Sequence, residues 1–300
     1  MAPVQVLLFI TTHLSALPYD RRRMFLCIGI GSANGHTRLR ESIRRTWASN
    51  LDFDVTYRFF ADAEGVGVEL NSDVVLRNGT IGYNTNNAER ELFAMRYFVD
   101  NYECDYYLRT DDDGYLCLHN VLFYLRQRIM AKPLIYGRFH CNPNLARPDE
   151  NFLLFDSQMV RYLHYGYATQ SLPFISTQTI ALNIGYLVSL LETTVEIIDD
   201  QNRLWWPSDN VPQRPFELRD APHLCQRFLW AHWVKTPRTM QSIHRSRMKL
   251  PGGVQSTVSG CRWHRSKFPR YSQRLYSDEI IANVSHLWHK VLGARSTVQL

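Results

Sequence analysis

The 300-residue sequence contains no hydrophobic run long enough for an ordinary membrane-spanning helix, which needs about 20 apolar residues. Its N-terminal apolar stretch, residues 4–17, is shorter than that and is interrupted by polar residues. No basic residue precedes the stretch, which makes it a poor signal peptide. Two interpretations stay open: residues 1–23 are the remnant of a truncated signal or anchor that would allow membrane association, or they form a first strand.

The sequence also lacks the common local metal motifs. Its six cysteines include no C-x-x-C pair, which argues against a zinc ribbon, and its eleven histidines include no H-E-x-x-H spacing. The even number of cysteines and the N-x-[ST] sequons at Asn78 and Asn283 are compatible with a secretory compartment. No internal repeat or Gly/Ser linker is visible, so we expect a single domain over residues 24–300.

Acidic residues are absent from residues 221–277, a stretch that carries eleven basic residues. These eleven charges exceed the formal net charge of +6, so the rest of the chain is net acidic. The basic stretch suits a phosphate-bearing ligand, an acidic membrane surface or nucleic acid, or it is a solvated surface. Because no RNA-recognition or helix-turn-helix pattern accompanies it, no nucleic-acid partner is expected.

The first half of the chain predicts an α/β sheet. Residues 24–30 are apolar without alternation, which predicts a strand covered on both faces. Residues 36–47 then place Leu39, Ile43 and Trp47 at helical spacing, and these three are expected to face the sheet. The further predicted elements are strands at 53–61, 73–76 and 106–108 and helices over 86–99 and from near residue 119. This order indicates right-handed βαβ units in a sheet flanked by helices, followed by a loop-rich second half.

Three consecutive carboxylates, Asp111, Asp112 and Asp113, follow the predicted strand at 106–108. They repel one another unless a cation or several hydrogen-bond donors lie between them. Mg²⁺ and Mn²⁺ take carboxylate oxygens and keep open positions for substrate phosphates, and the carboxyl end of a strand in an α/β sheet is where ligands bind. Gly114 is fourth from Asp111, whereas a calcium loop needs glycine at the sixth position. The alternative is an exposed acidic turn.

Two motifs resemble the β-1,3-galactosyltransferase-type family of inverting glycosyltransferases. Ile43-Arg44-Arg45-Thr46-Trp47 is similar to its I-R-x-T-W element, with Arg40 matching an upstream arginine, and Arg109-Thr110-Asp111-Asp112-Asp113 is similar to its K-T-D-D-D element. The likeness covers residues 24 to about 120. It implies a GT-A-like fold, a UDP-sugar donor, and Mn²⁺, with Mg²⁺ as the alternative, held by Asp111 and Asp113 against the diphosphate.

The resemblance also implies a reaction, a cellular location and a division of the chain between donor and acceptor. It indicates an enzyme of the Golgi membrane or lumen that transfers galactose or an N-acetylhexosamine in β-1,3 linkage to a glycan or glycoprotein acceptor. Residues 24–132 would bind the nucleotide-sugar, and residues 133–300, with the basic segment, the acceptor. Donor-binding roles fall to Arg40, Arg44, Asp111 and Asp112. For Arg40 and Arg44, pairing with the Asp triplet or with Glu41 is the alternative.

The second half matches the family less closely. Asp220 corresponds to the catalytic Asp of an E-D-V-x-x-G element, although Arg219 and Leu224 depart from that pattern. We expect Asp220 to be the base that takes the acceptor proton, with Glu217 or Asp209 as its substitute. Trp205 and Trp206, in a proline-flanked loop, are expected to stack on the acceptor sugar, with ordinary packing in the protein as the alternative. The alternative to an enzyme is a catalytically inactive relative that binds a glycan or a protein.

Overall fold

The computed structural model describes residues 21–63, 71–78, 87–129, 132–142, 145–169, 172, 180–181, 183–185, 195–206 and 224–246. Its strands are β1 (Arg22–Gly31), β2 (Val55–Asp62), β3 (Val74–Arg77), β4 (Tyr102–Asp111), β5 (Tyr115–Leu116), β6 (Leu134–Asn142), β7 (Leu145–Asp156), β8 (Glu196–Asp199), β9 (Leu204–Trp205) and β10 (Trp230–Ala231). Its helices are α1 (Thr37–Arg44), α2 (Asn87–Asn101), α3 (Leu118–Arg126), α4 (Ser157–Ala168), α5 (Leu224–Arg227) and α6 (Pro237–Ser246).

Seven strands form one mixed sheet in the order β3-β2-β1-β4-β7-β6-β8. Strands β3, β2, β1 and β4 are parallel to one another, whereas β7 is antiparallel to both β4 and β6. Strand β6 therefore runs in the same direction as β4, and its carboxyl end reaches the same edge of the sheet. A smaller sheet, β5-β10-β9, lies beyond the end of β4. The predicted α/β class, with a mixed sheet flanked by helices, is confirmed.

Helices cover both faces of the large sheet, which explains why β1 is apolar without alternation. Leu26 and Ile28 belong to one buried cluster, and Cys27 between them belongs to the other. Buried side chains of α1, α3 and α6 join the first cluster, and those of α2 and α4 join the second. Trp47 lies in the first cluster beside Tyr57, as predicted. The burial pattern is that of parallel strands between two helical layers.

Most predicted elements of the first half are confirmed, with shifted ends. The helix predicted over 36–47 ends at Arg44 and continues as turns. Strand β4 begins at Tyr102, before the predicted start at 106, because its first residues also pair with β1. In the second half, β6, β7 and β8 extend the same sheet, so this half supplies more regular structure than the loops expected there. No described helix is long and apolar enough to span a membrane.

Two disulfides fasten distant parts of the chain. Cys27 and Cys104 join β1 to β4, and Cys117 and Cys225 join the start of α3 to α5. The second disulfide closes a separation of 108 residues. Sequence alone left the pairing of the cysteines open.

Candidate functional site

The Asp triplet lies where the two central strands end. Asp111 closes β4 and pairs in register with Gly31, the last residue of β1. A Cβ on Gly31 would lie 2.9 Å from Oδ1 of Asp111, so glycine at this position leaves room for the carboxylate. The backbone N–H of Asp112 then donates to the carbonyl of Gly31 over 3.0 Å. The triplet is thus anchored at the carboxyl edge of the sheet, as the sequence predicts.

The middle carboxylate of the triplet turns into the loop between β1 and α1. Oδ2 of Asp112 accepts a hydrogen bond from Ser32 Oγ at 2.6 Å and lies 3.0 Å from His36 Nδ1. The hydrogen bond to Asp112 raises the pKa of His36 by more than burial lowers it. Asp112 is itself buried. Its donors hold the loop in place, and its carboxylate does not join the other two.

Asp111, Asp113 and His232 form a compact group of possible metal ligands. One ligand atom from each residue lies within 4.8 Å of the other two. Nε2 of His232 is 3.2 Å from Oδ1 of Asp113. Burial acts to raise the pKa of Asp113, but the hydrogen bond and charge of His232, with Lys235 nearby, hold it below its usual range. Two carboxylates and one imidazole make a donor set that suits a divalent cation.

Asp111 is held by a buried arginine. Arg109 donates from NH2 to Oδ1 of Asp111 at 2.8 Å and from Nε to Oε1 of Glu91 at 2.9 Å. Burial raises the pKa of Asp111 well above its usual range; Arg109 opposes this effect, while Asp113, Glu150 and Glu91 add to it. A divalent cation beside Asp111 would supply the positive charge that keeps this carboxylate ionised.

The small sheet brings His232 to the triplet. Ala231 of β10 pairs with Tyr115 of β5, the strand that directly follows the triplet. The backbone N–H of His232 donates to the carbonyl of Trp205, and that of Val234 donates to the carbonyl of Asp113 over 2.7 Å. Trp233 between them has a φ of 61°, a left-handed conformation that turns the chain tightly after His232. The loop is therefore fixed on both sides of the imidazole.

Aromatic stacking fixes the plane of that imidazole. The Trp206 ring stacks on His232 with centroids 4.1 Å apart and planes 15° apart, and Trp230 lies 5.5 Å away at 14°. Nε1 of Trp230 donates to Thr110 Oγ1 on β4 over 3.0 Å, which ties this stack to the central sheet. Trp206 is thus at the candidate site, beside a ligand; the predicted contact of Trp205 and Trp206 with a sugar stays a prediction.

The predicted donor-binding arginines lie in two different surroundings. Arg40 is 0% exposed, and its guanidinium donates to Ser32 Oγ and to the carbonyls of Ala33 and Asn34. It reaches Asp112 through Ser32 and does not pair with Glu41 at the surface. Arg44 forms two hydrogen bonds with Asp73, at 2.8 and 2.9 Å, and an ion pair with Glu41 at 3.4 Å, the alternative partner. The donor-binding roles of Arg40 and Arg44 stay predictions.

The remaining predicted site residues, Asp220, Glu217 and Asp209, lie outside the described residues. The residue that sequence analysis missed is His232. No local spacing relates it to the triplet, because β10 pairs with β5 only after the chain has folded. Glu91, the second partner of Arg109, comes from α2 and was also missed.

No protein-family model matches the chain, and no curated protein matches it. Similar solved structures include a glycosyltransferase involved in the glycosylation of the major capsid of PBCV-1, with 10% identity over 72% of this chain and 98% of that chain, and a TM-score of 0.37. They also include the galactosyltransferase LgtC in complex with donor and acceptor sugar analogues, with 10% identity over 75% of this chain and 97% of that chain, and a TM-score of 0.40. The inositol-1-phosphate CTP transferase from T. maritima has 12% identity over 77% of this chain and 100% of that chain, and a TM-score of 0.36.

These likenesses are distant, with TM-scores below 0.5. The functional conclusion therefore rests on the side chains of this chain. The resemblance of its motifs to the β-1,3-galactosyltransferase family stays a prediction.

Proposed function

We propose that this protein is a glycosyltransferase that moves a hexosyl group from a UDP-sugar to a glycan or glycoprotein acceptor with the help of a divalent metal. The observation that carries the proposal is the meeting of Asp111, Asp113 and His232 at the carboxyl edge of the central parallel strands. That edge is the usual ligand site of open α/β sheets. Three ligands from protein leave coordination positions for phosphate oxygens.

The residues present fit Mn²⁺, with Mg²⁺ as the alternative. Carboxylate oxygens suit both ions, whereas the imidazole of His232 favours the transition metal. A bound divalent cation neutralises charge on the donor diphosphate and so stabilises the departing nucleotide. The protein's own part is positional: Arg109 orients Asp111, and Trp206 orients the His232 ring.

The resemblance of the motifs supports a donor sugar, a linkage and a catalytic base. The donor sugar is galactose or an N-acetylhexosamine, transferred with inversion in β-1,3 linkage, and Asp220 takes the proton of the acceptor hydroxyl, with Glu217 as its substitute. Trp206 offers an aromatic surface beside the metal group on which the acceptor sugar stacks. Residues 24–132 then serve mainly the donor and residues 133–300 mainly the acceptor.

We place the enzyme in the Golgi membrane or lumen. Two disulfides support this location, because disulfides persist in the oxidising compartments of the secretory pathway. The sequons at Asn78 and Asn283 point the same way. Fractionation of expressing cells, with glycosidase treatment to reveal a mass shift, tests it. A protein found in the cytosol without N-glycans would contradict the location.

A donor screen tests the activity. Purified protein with Mn²⁺ is mixed with each UDP-sugar and a panel of glycan acceptors, and free UDP is measured. We expect release with one hexosyl donor, loss of release with a chelator, and loss in Asp113→Asn. His119→Gln is the control, since His119 is exposed on α3 and does not join the three ligands. Metal-independent UDP release would contradict the proposal.

The base is tested by a pair of variants. Asp220→Asn should lower the transfer rate by roughly 100-fold or more while UDP binding stays nearly unchanged, because the donor is held elsewhere. Glu217→Gln, three residues away, is the control. Loss of transfer only in Glu217→Gln would reassign the base. If the wild type binds UDP but transfers no sugar, the inactive relative that binds a glycan or protein replaces the enzyme as the better interpretation.

A further inference from the structure

Arg138 of β6 is a half-buried cation that the described residues do not neutralise. Its Nε is buried without a hydrogen-bond partner, and its guanidinium makes no ion pair within the described part of the chain. The contact that it does make is with an aromatic ring: the guanidinium carbon lies 5.9 Å from the centre of the Trp206 ring. A buried donor without a partner is costly, so this guanidinium is suited to an anionic ligand.

The pairing of β6 with β7 is irregular at Arg138, which has no paired residue on β7. Gly137 pairs with Leu153, but Phe139 pairs with Pro148. Four residues of β7, 149–152, therefore lie opposite the single β6 residue Arg138. Such irregularities are common next to active sites, where they re-aim a side chain. Since β6 and β4 run in the same direction, Arg138 lies toward the sheet edge that carries the Asp triplet.

Trp206 links Arg138 to the group of metal ligands. The same indole ring that lies near the guanidinium stacks on the imidazole of His232. Asp149, a buried acid opposite Arg138, is already bonded to His140 at 2.8 Å and to Asn151. Glu150, the other acid of this stretch, is buried near Arg109 and Arg147. No carboxylate among the described residues forms an ion pair with Arg138, so its positive charge is available beside Trp206 and His232.

We propose that Arg138 binds a phosphate group of the nucleotide-sugar donor, an inference that rests on the proposed function. A guanidinium presents two parallel N–H donors that match two phosphate oxygens. The diphosphate of a UDP-sugar carries two negative charges, and the carboxylates of Asp111 and Asp113 add two more, so one divalent cation leaves part of the negative charge of this group unneutralised. Arg138 supplies the additional charge from the side of Trp206.

Calorimetric titration with UDP and with inorganic pyrophosphate, in the presence of Mn²⁺, tests the assignment. Arg138→Gln should weaken the binding of both probes by about tenfold or more, as expected for a lost hydrogen bond to a charged group. Arg138→Lys keeps the charge but not the paired donors, so its affinity should fall between those of wild type and Arg138→Gln. Arg45→Gln, which removes an exposed arginine paired with Glu41, should bind both probes like wild type.

A titration with Mn²⁺ alone separates the possible failures. Arg138→Gln should bind Mn²⁺ as tightly as wild type, and weaker Mn²⁺ binding would overturn the assignment, because it would show that the metal group itself was damaged. Unchanged affinity for UDP and pyrophosphate would overturn the role of Arg138 and leave the proposed function standing.

Two further outcomes concern the proposed function. Binding that depends on Arg138 in a protein that transfers no sugar would support Arg138 and overturn the transferase. If the wild type binds neither probe, both proposals fail. If Arg138→Gln does not fold, as judged by circular dichroism, Arg138→Lys decides: wild-type affinity in that variant overturns the assignment.

Discussion

At the scale of single residues, His232 supplies the nitrogen donor of the candidate metal group. Loss of a residue that only orients a metal ligand typically lowers metal affinity by roughly 10-fold to 100-fold. His232→Gln removes a ligand itself, so it should lower Mn²⁺ affinity by at least that much. The fold should be retained, since Gln can still pack beneath Trp206. Electron paramagnetic resonance of free Mn²⁺ measures the affinity. His119→Gln, at an exposed histidine of α3, serves as the control, and equal affinities in the two variants would contradict the ligand set.

Arg40 is fully buried, and we expect it to stabilise the fold. Its buried guanidinium holds the β1–α1 loop through Ser32 and the carbonyls of Ala33 and Asn34. Arg40→Met leaves these acceptors unsatisfied, so we expect a loss of about 3 kcal/mol or more in the free energy of unfolding. Urea denaturation measures it. Arg45→Gln, at an exposed ion pair, should change stability by about 0.5 kcal/mol or less; a similar small effect for Arg40→Met would refute the structural role.

At the scale of elements, the pair of Arg44 and Asp73 fastens α1 to the chain entering β3. Burial acts to raise the pKa of Asp73, but the hydrogen bond and charge of Arg44 and the hydrogen bond from Tyr57 lower it below its usual value. A carboxyl whose folded pKa is lowered stabilises the protein above its unfolded pKa, and this contribution is lost as the pH falls through the folded pKa.

Asp73→Asn should therefore destabilise the protein at pH 7, and the difference from wild type should shrink below about pH 5. Urea denaturation at several pH values measures this dependence. Asp100→Asn, at the exposed pair with Arg96, should show little difference at any pH. A difference for Asp73→Asn that is constant with pH would mean that the ion pair does not stabilise the fold.

The disulfide of Cys117 and Cys225 joins two short elements around the small sheet. Its removal in a double serine variant should cost about 2–5 kcal/mol, since the bond closes a separation of 108 residues and restricts the unfolded chain. Chemical denaturation of the variant beside wild type measures the loss. Peptide mapping without reductant should recover the peptides of Cys117 and Cys225 as one species; separate peptides would contradict the pairing.

At the scale of the whole molecule, sequence predicts the strands and helices whose pattern of apolar residues is contained in one short stretch of chain. The strands β1, β2 and β3 and the helices α1 and α2 follow from apolar runs and helical spacing. The early start of β4 does not, because Glu103 and Asp105 interrupt the apolar run and these residues become part of the strand by pairing with β1. Strands β6 to β8 were also missed, since proline and polar residues interrupt their patterns and the sheet supplies their pairing.

The candidate site also has a part that sequence predicts and a part that only the folded chain shows. Sequence determined that Asp111 and Asp113 follow a buried strand and that their charges require a cation or donors. The tertiary structure decided which donors: it turned Asp112 toward Ser32 and His36, set Arg109 beside Asp111, and placed His232 beside Asp113. The physical reason is that like charges adjacent in sequence are visible locally, whereas Ser32 and His36 come from the loop between β1 and α1, and His232 comes from the residue after β10. These segments are far from the triplet in sequence and meet it only in the folded chain.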